Sequence, residues 1–332
     1  MSNHWLMIVT ATLSVFALVG IGAVARQARW LSEEADRSLL KLGIDLLLPC
    51  LIFTVVADNE ALRQASNLLL SPSVGFGTFA LGLAVAMLVA RLGSRLTGLH
   101  EAGQRRTFAL SVGAYNYGFL ALPLVRELFD DRTLGVLFVH NVGTALAMWT
   151  LGVAILSGTL DRRAWRQMVN PPSVAVVVAV VFNLLGVTPW LHQYAEFLLT
   201  AIRWLGEAAV PMLLVVVGAT MADQFRAGGR LNHRKDAAKV IAWACFLRLG
   251  ILPVAFLLVA LLVPESLVEL RSVIVVEAAM PSAVFPVLLA RLYGGDPGTA
   301  LRVVLSTSIV SLVTIPLWIA AGVALLGLSV AG

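Results

Sequence analysis

Two short stretches hold most of the polar chemistry of an otherwise apolar chain. Residues 115–123 read YNYGFLALP, and residues 277–286 read EAAMPSAVFP. Asn116 and Ser282 are neutral hydrogen-bonding groups, Glu277 is an acid, and Tyr115, Met280 and Phe285 offer bulk around them. Gly118, Pro123, Pro281 and Pro286 interrupt a helix at these points, because proline lacks an amide hydrogen and clashes with the preceding turn. The half-helix that restarts after such a break has unpaired amides and roughly half a positive charge at its start. Two of these starts facing one another could hold a carboxylate without any lysine. Asn116 and Ser282 would then donate to it, and Tyr115, Met280 and Phe285 would wall its apolar part. A packing role stays open for each: Asn116 could satisfy carbonyls freed by Pro123, and Met280 and Phe285 could belong to the core. Tyr115 and Tyr117 lie on different faces, so at most one points easily into a cavity.

The elements that must position these residues are membrane helices. Of the 332 residues, 59% are hydrophobic and only 13% charged, and mean hydropathy is +0.89. A spanning helix needs about 20 mostly apolar residues. Ten runs qualify, at residues 5–25, 39–57, 72–90, 108–128, 134–156, 171–187, 198–221, 240–263, 273–292 and 303–329. The two polar stretches interrupt the fourth and the ninth. Broken backbone at membrane depth is tolerated only where protein or a water-filled cavity covers it. One broken helix in each half of a polytopic chain points to the substrate site of a secondary transporter. The connections are short, which predicts an all-α protein with a single membrane domain. The first run has no leading Lys or Arg and is followed by Arg26 and Arg29, the reverse of a signal peptide's charge order, so it reads as a retained helix.

The charge distribution predicts orientation. Of the 24 Lys and Arg residues, 18 fall on the connections after odd-numbered runs, 5 on the even-numbered ones, and Arg248 lies inside the eighth run. Basic connections stay on the cytoplasmic side, so both termini are expected outside an inner (cytoplasmic) membrane. Contact with anionic lipid then explains the net charge of +5, and no nucleic-acid partner is needed. Cys50 and Cys245 sit within apolar runs and read as small hydrophobes. The five histidines are scattered, with neither HExxH nor a phosphate-binding loop, so no cofactor, metal or enzymatic activity is expected.

Ionisable groups at membrane depth are functional candidates. Glu277 could carry a coupling proton, pair with Arg248, or sit wet near the outer face. Asp45 and Glu207 each precede a proline by four residues, Pro49 and Pro211, and are candidates for gating or cation binding near the surfaces. Asn141, beside His140, is a candidate to support the ligand. The Asp45 and Glu207 spacings also match runs 2 and 7 to one another. Runs 5 and 10 match by polar residues early and tryptophan late, His140, Asn141 and Trp149 against Ser306, Thr307, Ser308 and Trp318. Five runs per half predicts two inverted repeats, at approximately 1–157 and 165–330.

The ordered motifs LPCLIF, NYGFLALPL, NPPSVAVVV, VPMLLVVVGATM, EAAMPSAVFPVLLARLYGGD and STSIVSLVTIPLW resemble the auxin efflux carrier family in its bacterial form, over essentially the whole chain. The resemblance implies ten helices in two inverted five-helix repeats, with helices 4 and 9 crossing at Pro123 and Pro286 beside the substrate. It also implies a scaffold of helices 1, 2, 6 and 7 that forms a homodimer, a moving part of helices 3–5 and 8–10, and an elevator-like motion. The implied substrate is a small organic anion, such as malate, malonate or an indole acid, coupled to a proton, to sodium or to neither. Two alternatives remain: a sodium/proton antiporter of the same broken-helix architecture, which would want adjacent buried carboxylates, and an anion-binding membrane sensor.

Overall fold

The computed structural model describes residues 2–158, 169–228 and 236–330. The basic residues Arg162, Arg163, Arg166, Arg230, Arg234 and Lys235, and the expected start of the second repeat at residue 165, lie outside these. All the regular structure described is helical: α1 (Ser2–Gln27), α2 (Glu33–Val56), α3 (Ala65–Ala90), α4 (Ala102–Gly113), α5 (Ala121–Leu128), α6 (Asp131–Ser157), α7 (Pro171–Leu185), α8 (Thr188–Gly228), α9 (Ala237–Leu262), α10 (Val268–Ala279), α11 (Phe285–Leu292) and α12 (Pro297–Leu326). Seven of them are long and apolar enough to cross a membrane, α8 by its part Glu196–Arg226; α7 and Thr188–Tyr194, which a non-helical Ala195 separates from the rest of α8, are bent by 93° and count as an eighth if the pair is one span. Each of the ten apolar runs is helical. The fourth divides into α4 and α5, and the ninth into α10 and α11.

Local chemistry sets the ends of these helices. Ser32, Asp130, Asn170 and Asp296 each accept an amide of the first turn that would otherwise have no partner. Gly186 and Gly327 end α7 and α12 in the left-handed conformation. Three π-turns interrupt α2, α6 and α9, at Gly43–Leu47, Met148–Gly152 and Leu247–Ile251. Two of them come just before Pro49 and Pro253. Widening the helix by one residue there absorbs the clash that proline makes with the preceding turn. The carbonyl of Leu249, four residues before Pro253, accepts a hydrogen bond from Trp318 Nε1 at 2.7 Å.

Helix packing depends on glycine where backbones nearly touch. Side-chain atoms at Gly22 or Gly218 would overlap the carbonyl of Val215 or of Val19, which brings α1 and α8 into direct backbone contact. One set of contacts joins α1, α2, α7 and α8. Another joins α3, α4, α6, α9, α10 and α12, with α11 packed on α12; the two sets also touch, α1 and α8 against α12 and α2 against α6, and α5 packs on α1, α6 and α10. At the end of α1, Arg26 pairs with Asp36 of α2 and, at 3.0 Å, with Asp223 of α8. It is therefore a buried brace between three helices, where its position just after the first run predicts a connecting residue.

Candidate site at the crossing of two broken helices

The two breaks meet. Tyr115 and Ser282 form an antiparallel bridge. Asn116 N donates to Pro281 O at 2.8 Å, and Ala283 N donates to Ala114 O at 2.8 Å. These extended residues pair with each other as strands do, so backbone groups released by one helix are satisfied by the other. The neighbouring helices hold both breaks in place. Asn141 of α6 donates to Tyr117 O at 2.9 Å, and Thr307 of α12 accepts from Ser282 N at 3.2 Å.

The prolines lie beyond the bridge. Pro123 is the third residue of α5 and Pro286 the second of α11. A missing amide hydrogen costs nothing in a first turn, so these prolines start the second half-helices and strip no carbonyl of its partner. Only Pro281 is at the bridge, where its carbonyl accepts from Asn116.

What remains unpaired marks the open side. The amides of Gly118, Phe119 and Leu120, and those of Val284 and Phe285, donate to no protein group among the described residues. Gly118 has no atom within 4 Å of where a side chain would begin. Tyr117, Gly118, Phe119, Asn141, Val284 and Phe285 are half-buried, whereas Met280, Pro281, Ser282 and Pro286 are buried. Phe285 packs edge-on against Trp149 at 5.3 Å. Among the described residues the Asn116 side chain makes no hydrogen bond to the protein, and the buried Ser282 hydroxyl has no partner.

Tyr115 lies away from the half-buried side of the break. It is fully buried, and its hydroxyl lies 3.0 Å from both Thr78 of α3 and Thr144 of α6. It ties the break to the core, and Tyr117 is the tyrosine on the half-buried side. Met280 is likewise completely buried.

Glu277 and Arg248 are 1% and 0% exposed, so the wet position for Glu277 is excluded. They form no ion pair within 4.0 Å. Neither carboxylate oxygen of Glu277, nor Nη1 of Arg248, has a hydrogen-bond partner among the described residues. Arg248 donates instead to the carbonyls of Met280 at 2.9 Å, Glu277 at 3.2 Å and Ala278 at 3.3 Å. Its guanidinium carbon lies 5.2 Å from the ring centres of both Tyr115 and Phe256. In sequence Arg248 stands out only as a partner for Glu277. A single Arg in a long apolar run was the signal that it serves the break itself.

Asp45 and Glu207 take no part in the crossing contacts. Asp45 is exposed and pairs with Lys41 at 2.5 Å. It lines an open groove of about 590 Å³ between α2 and α7, with Cys50, Phe53 and Pro171. Glu207 is exposed on α8. A second cavity of about 480 Å³ lies between α1, α8 and α12 and is lined by Gln27, Met221, Arg226 and Ser308, the last adjacent to Thr307. Cys50 and Cys245 are free and half-buried.

Comparison with known proteins places this chain among transporters. A family profile described as "Membrane transport protein" matches residues 7–164 and 159–319. An uncharacterized transporter of Methanothermobacter thermautotrophicus is 30% identical over 311 residues, covering 92% of this chain and 95% of the relative. An uncharacterized transporter of Methanocaldococcus jannaschii is 25% identical over 313 residues, covering 92% and 96% respectively.

Proposed function

Because the chain belongs to the membrane transport protein family, the family of the auxin efflux carriers, we propose that it carries a small organic anion across the cytoplasmic membrane by secondary or facilitated transport. The supporting observation is the crossing: five unpaired amides at two facing half-helix starts, beside an Asn116 amide and a Ser282 hydroxyl that the protein leaves unused. Backbone amides and helix dipoles suit a carboxylate, and Tyr117 and Phe285 form the half-buried wall for an apolar portion. Pro123 and Pro286 fix where those starts lie.

In this reading the ten runs are ten spans in two inverted repeats. The matched roles of Asn141 and Thr307, each holding the break that precedes it in the chain, support the pairing of runs 5 and 10. The packing division supports α1, α2, α7 and α8 as the scaffold of a homodimer, against which the crossing-bearing helices slide like an elevator. The adjacent carboxylates of a sodium/proton antiporter have no counterpart, since Tyr115, Asn116 and Tyr117 occupy the first break. In this reading Glu277 exchanges a coupling proton, and Asp45 and Glu207 act at the surface.

A thermal-shift screen of mono- and dicarboxylates, indole acids included, tests this reading, because a ligand that binds the folded state raises its melting temperature. The expected result is a shift in the wild-type protein that Asn116→Ala abolishes, with uptake into proteoliposomes lost in Asn116→Ala and Pro286→Ala. Uptake by Glu277→Gln should no longer vary with pH. Unchanged ligand shifts and uptake in the first two variants would remove the crossing from the transport path.

A further inference from the structure

We propose that Arg248 is a built-in substitute for a coupling cation, and that it makes this transporter indifferent to sodium. The inference rests on reading the crossing as the transport site. Half-helix C-termini and unwound carbonyls at a midmembrane break are where such carriers coordinate sodium, because carbonyl oxygens can replace the ion's hydration shell. Here that position is the end of α10. The carbonyls of Glu277, Ala278 and Met280 converge there, and all three accept from a single guanidinium.

The side chain reaches them from α9, inside the π-turn Leu247–Ile251, and is completely buried. Its charge faces the negative end of the α10 dipole and the rings of Tyr115 and Phe256. Tyr115 is itself a bridge residue, so the guanidinium touches both breaks. The Glu277 carboxylate is the remaining negative charge close by, and no donor holds it. The three carbonyls form a cation cage already filled by a covalently attached cation, and the Glu277 carboxylate stands nearby without touching it. Unlike sodium, this cation cannot dissociate, so it stabilises the crossing on both sides of the membrane and contributes no ion gradient to transport.

The test measures melting temperature in matched chloride salts of sodium, potassium and choline, with no transported solute present. The outcome is therefore separable from the carboxylate reading. The wild-type protein should melt at the same temperature in all three. Arg248→Ala should melt several degrees lower in choline, and either sodium or low-millimolar guanidinium should recover much of the loss. A merely structural arginine would not give that rescue. Arg248→Lys keeps the charge and should remain insensitive to sodium, which preserves a test if Arg248→Ala does not fold. The proposal is overturned by sodium-specific stabilisation of the wild type or of Arg248→Lys, or by a folded Arg248→Ala that responds to neither cation.

Discussion

Tyr115 and Asn116 are neighbours in sequence with opposite tasks, and the difference follows from their hydrogen bonds. Thr78 uses its one proton on the carbonyl of Val74 or Gly75, so it must accept from Tyr115, and Thr144 must then donate to the tyrosine. Tyr115 is thus committed to the protein, while the Asn116 side chain is committed to nothing. Tyr115→Phe leaves two buried threonine hydroxyls short of a partner and should cost about 1–3 kcal/mol, seen as a fall of a few degrees in melting temperature. Its ligand-induced shift should persist. Asn116→Ala should show the reverse pattern, little change in melting temperature and no ligand shift. If Tyr115→Phe instead kept its stability and lost the ligand, the tyrosine would belong to the site after all.

At the level of elements, the breaks were legible because glycine, proline and asparagine inside an apolar run leave few other structures available in lipid. Pro123 and Pro286 marked the right helices, but the crossing formed at Tyr115 and Ser282, because prolines favour the first turn after a break. The direction taken by Arg248 was not legible. Helices buried on all sides carry no polar face to reveal their rotation, and the carbonyls it finds lie about 30 residues away on another helix. Outside the bilayer the elements are joined by ordinary polar clasps. His100 Nε2 lies 2.7 Å and Lys239 Nζ 2.9 Å from the carboxylate of Asp236. Lys239 also donates to Arg95 O at 3.0 Å and Trp243 to Leu96 O at 3.2 Å, fastening the start of α9 to the segment after α3. The hydrogen bonds from His100 and then Lys239 hold the Asp236 carboxyl below its ordinary value of 3.8. A depressed folded-state value gives stability that is present above the ordinary value and is lost as pH falls through the folded one. Asp236→Asn should therefore melt slightly below wild type at neutral pH, with the gap closing in acid below the usual carboxylate range. A gap of constant size across that range would mean the aspartate acts by shape and not by charge.

For the molecule as a whole, the number of bilayer crossings turns on the broken helices, because neither half of one is long enough to cross alone. α4 has 12 residues and α5 has 8, as do α10 and α11 respectively, and at 1.5 Å per residue each pair together reaches about 30 Å, the thickness of a hydrocarbon core. The pairs can span only if each half enters from its own side and the two meet in the middle. The bridge between Tyr115 and Ser282 joins the two breaks to each other, as that arrangement requires. The charge bias adds the direction: Arg95, before α4, should be cytoplasmic, and Asp131, after α5, should be outside. With Cys50 and Cys245 replaced by serine, single cysteines at Arg95 and at Asp131 can be tested with a membrane-impermeant maleimide on intact cells. Labelling of Asp131→Cys without permeabilisation, and of Arg95→Cys only after it, is expected if the broken helix spans. Both positions reacting from the same side would make α4 and α5 a re-entrant hairpin, and the count of ten, the inverted repeat and the elevator motion would fail together.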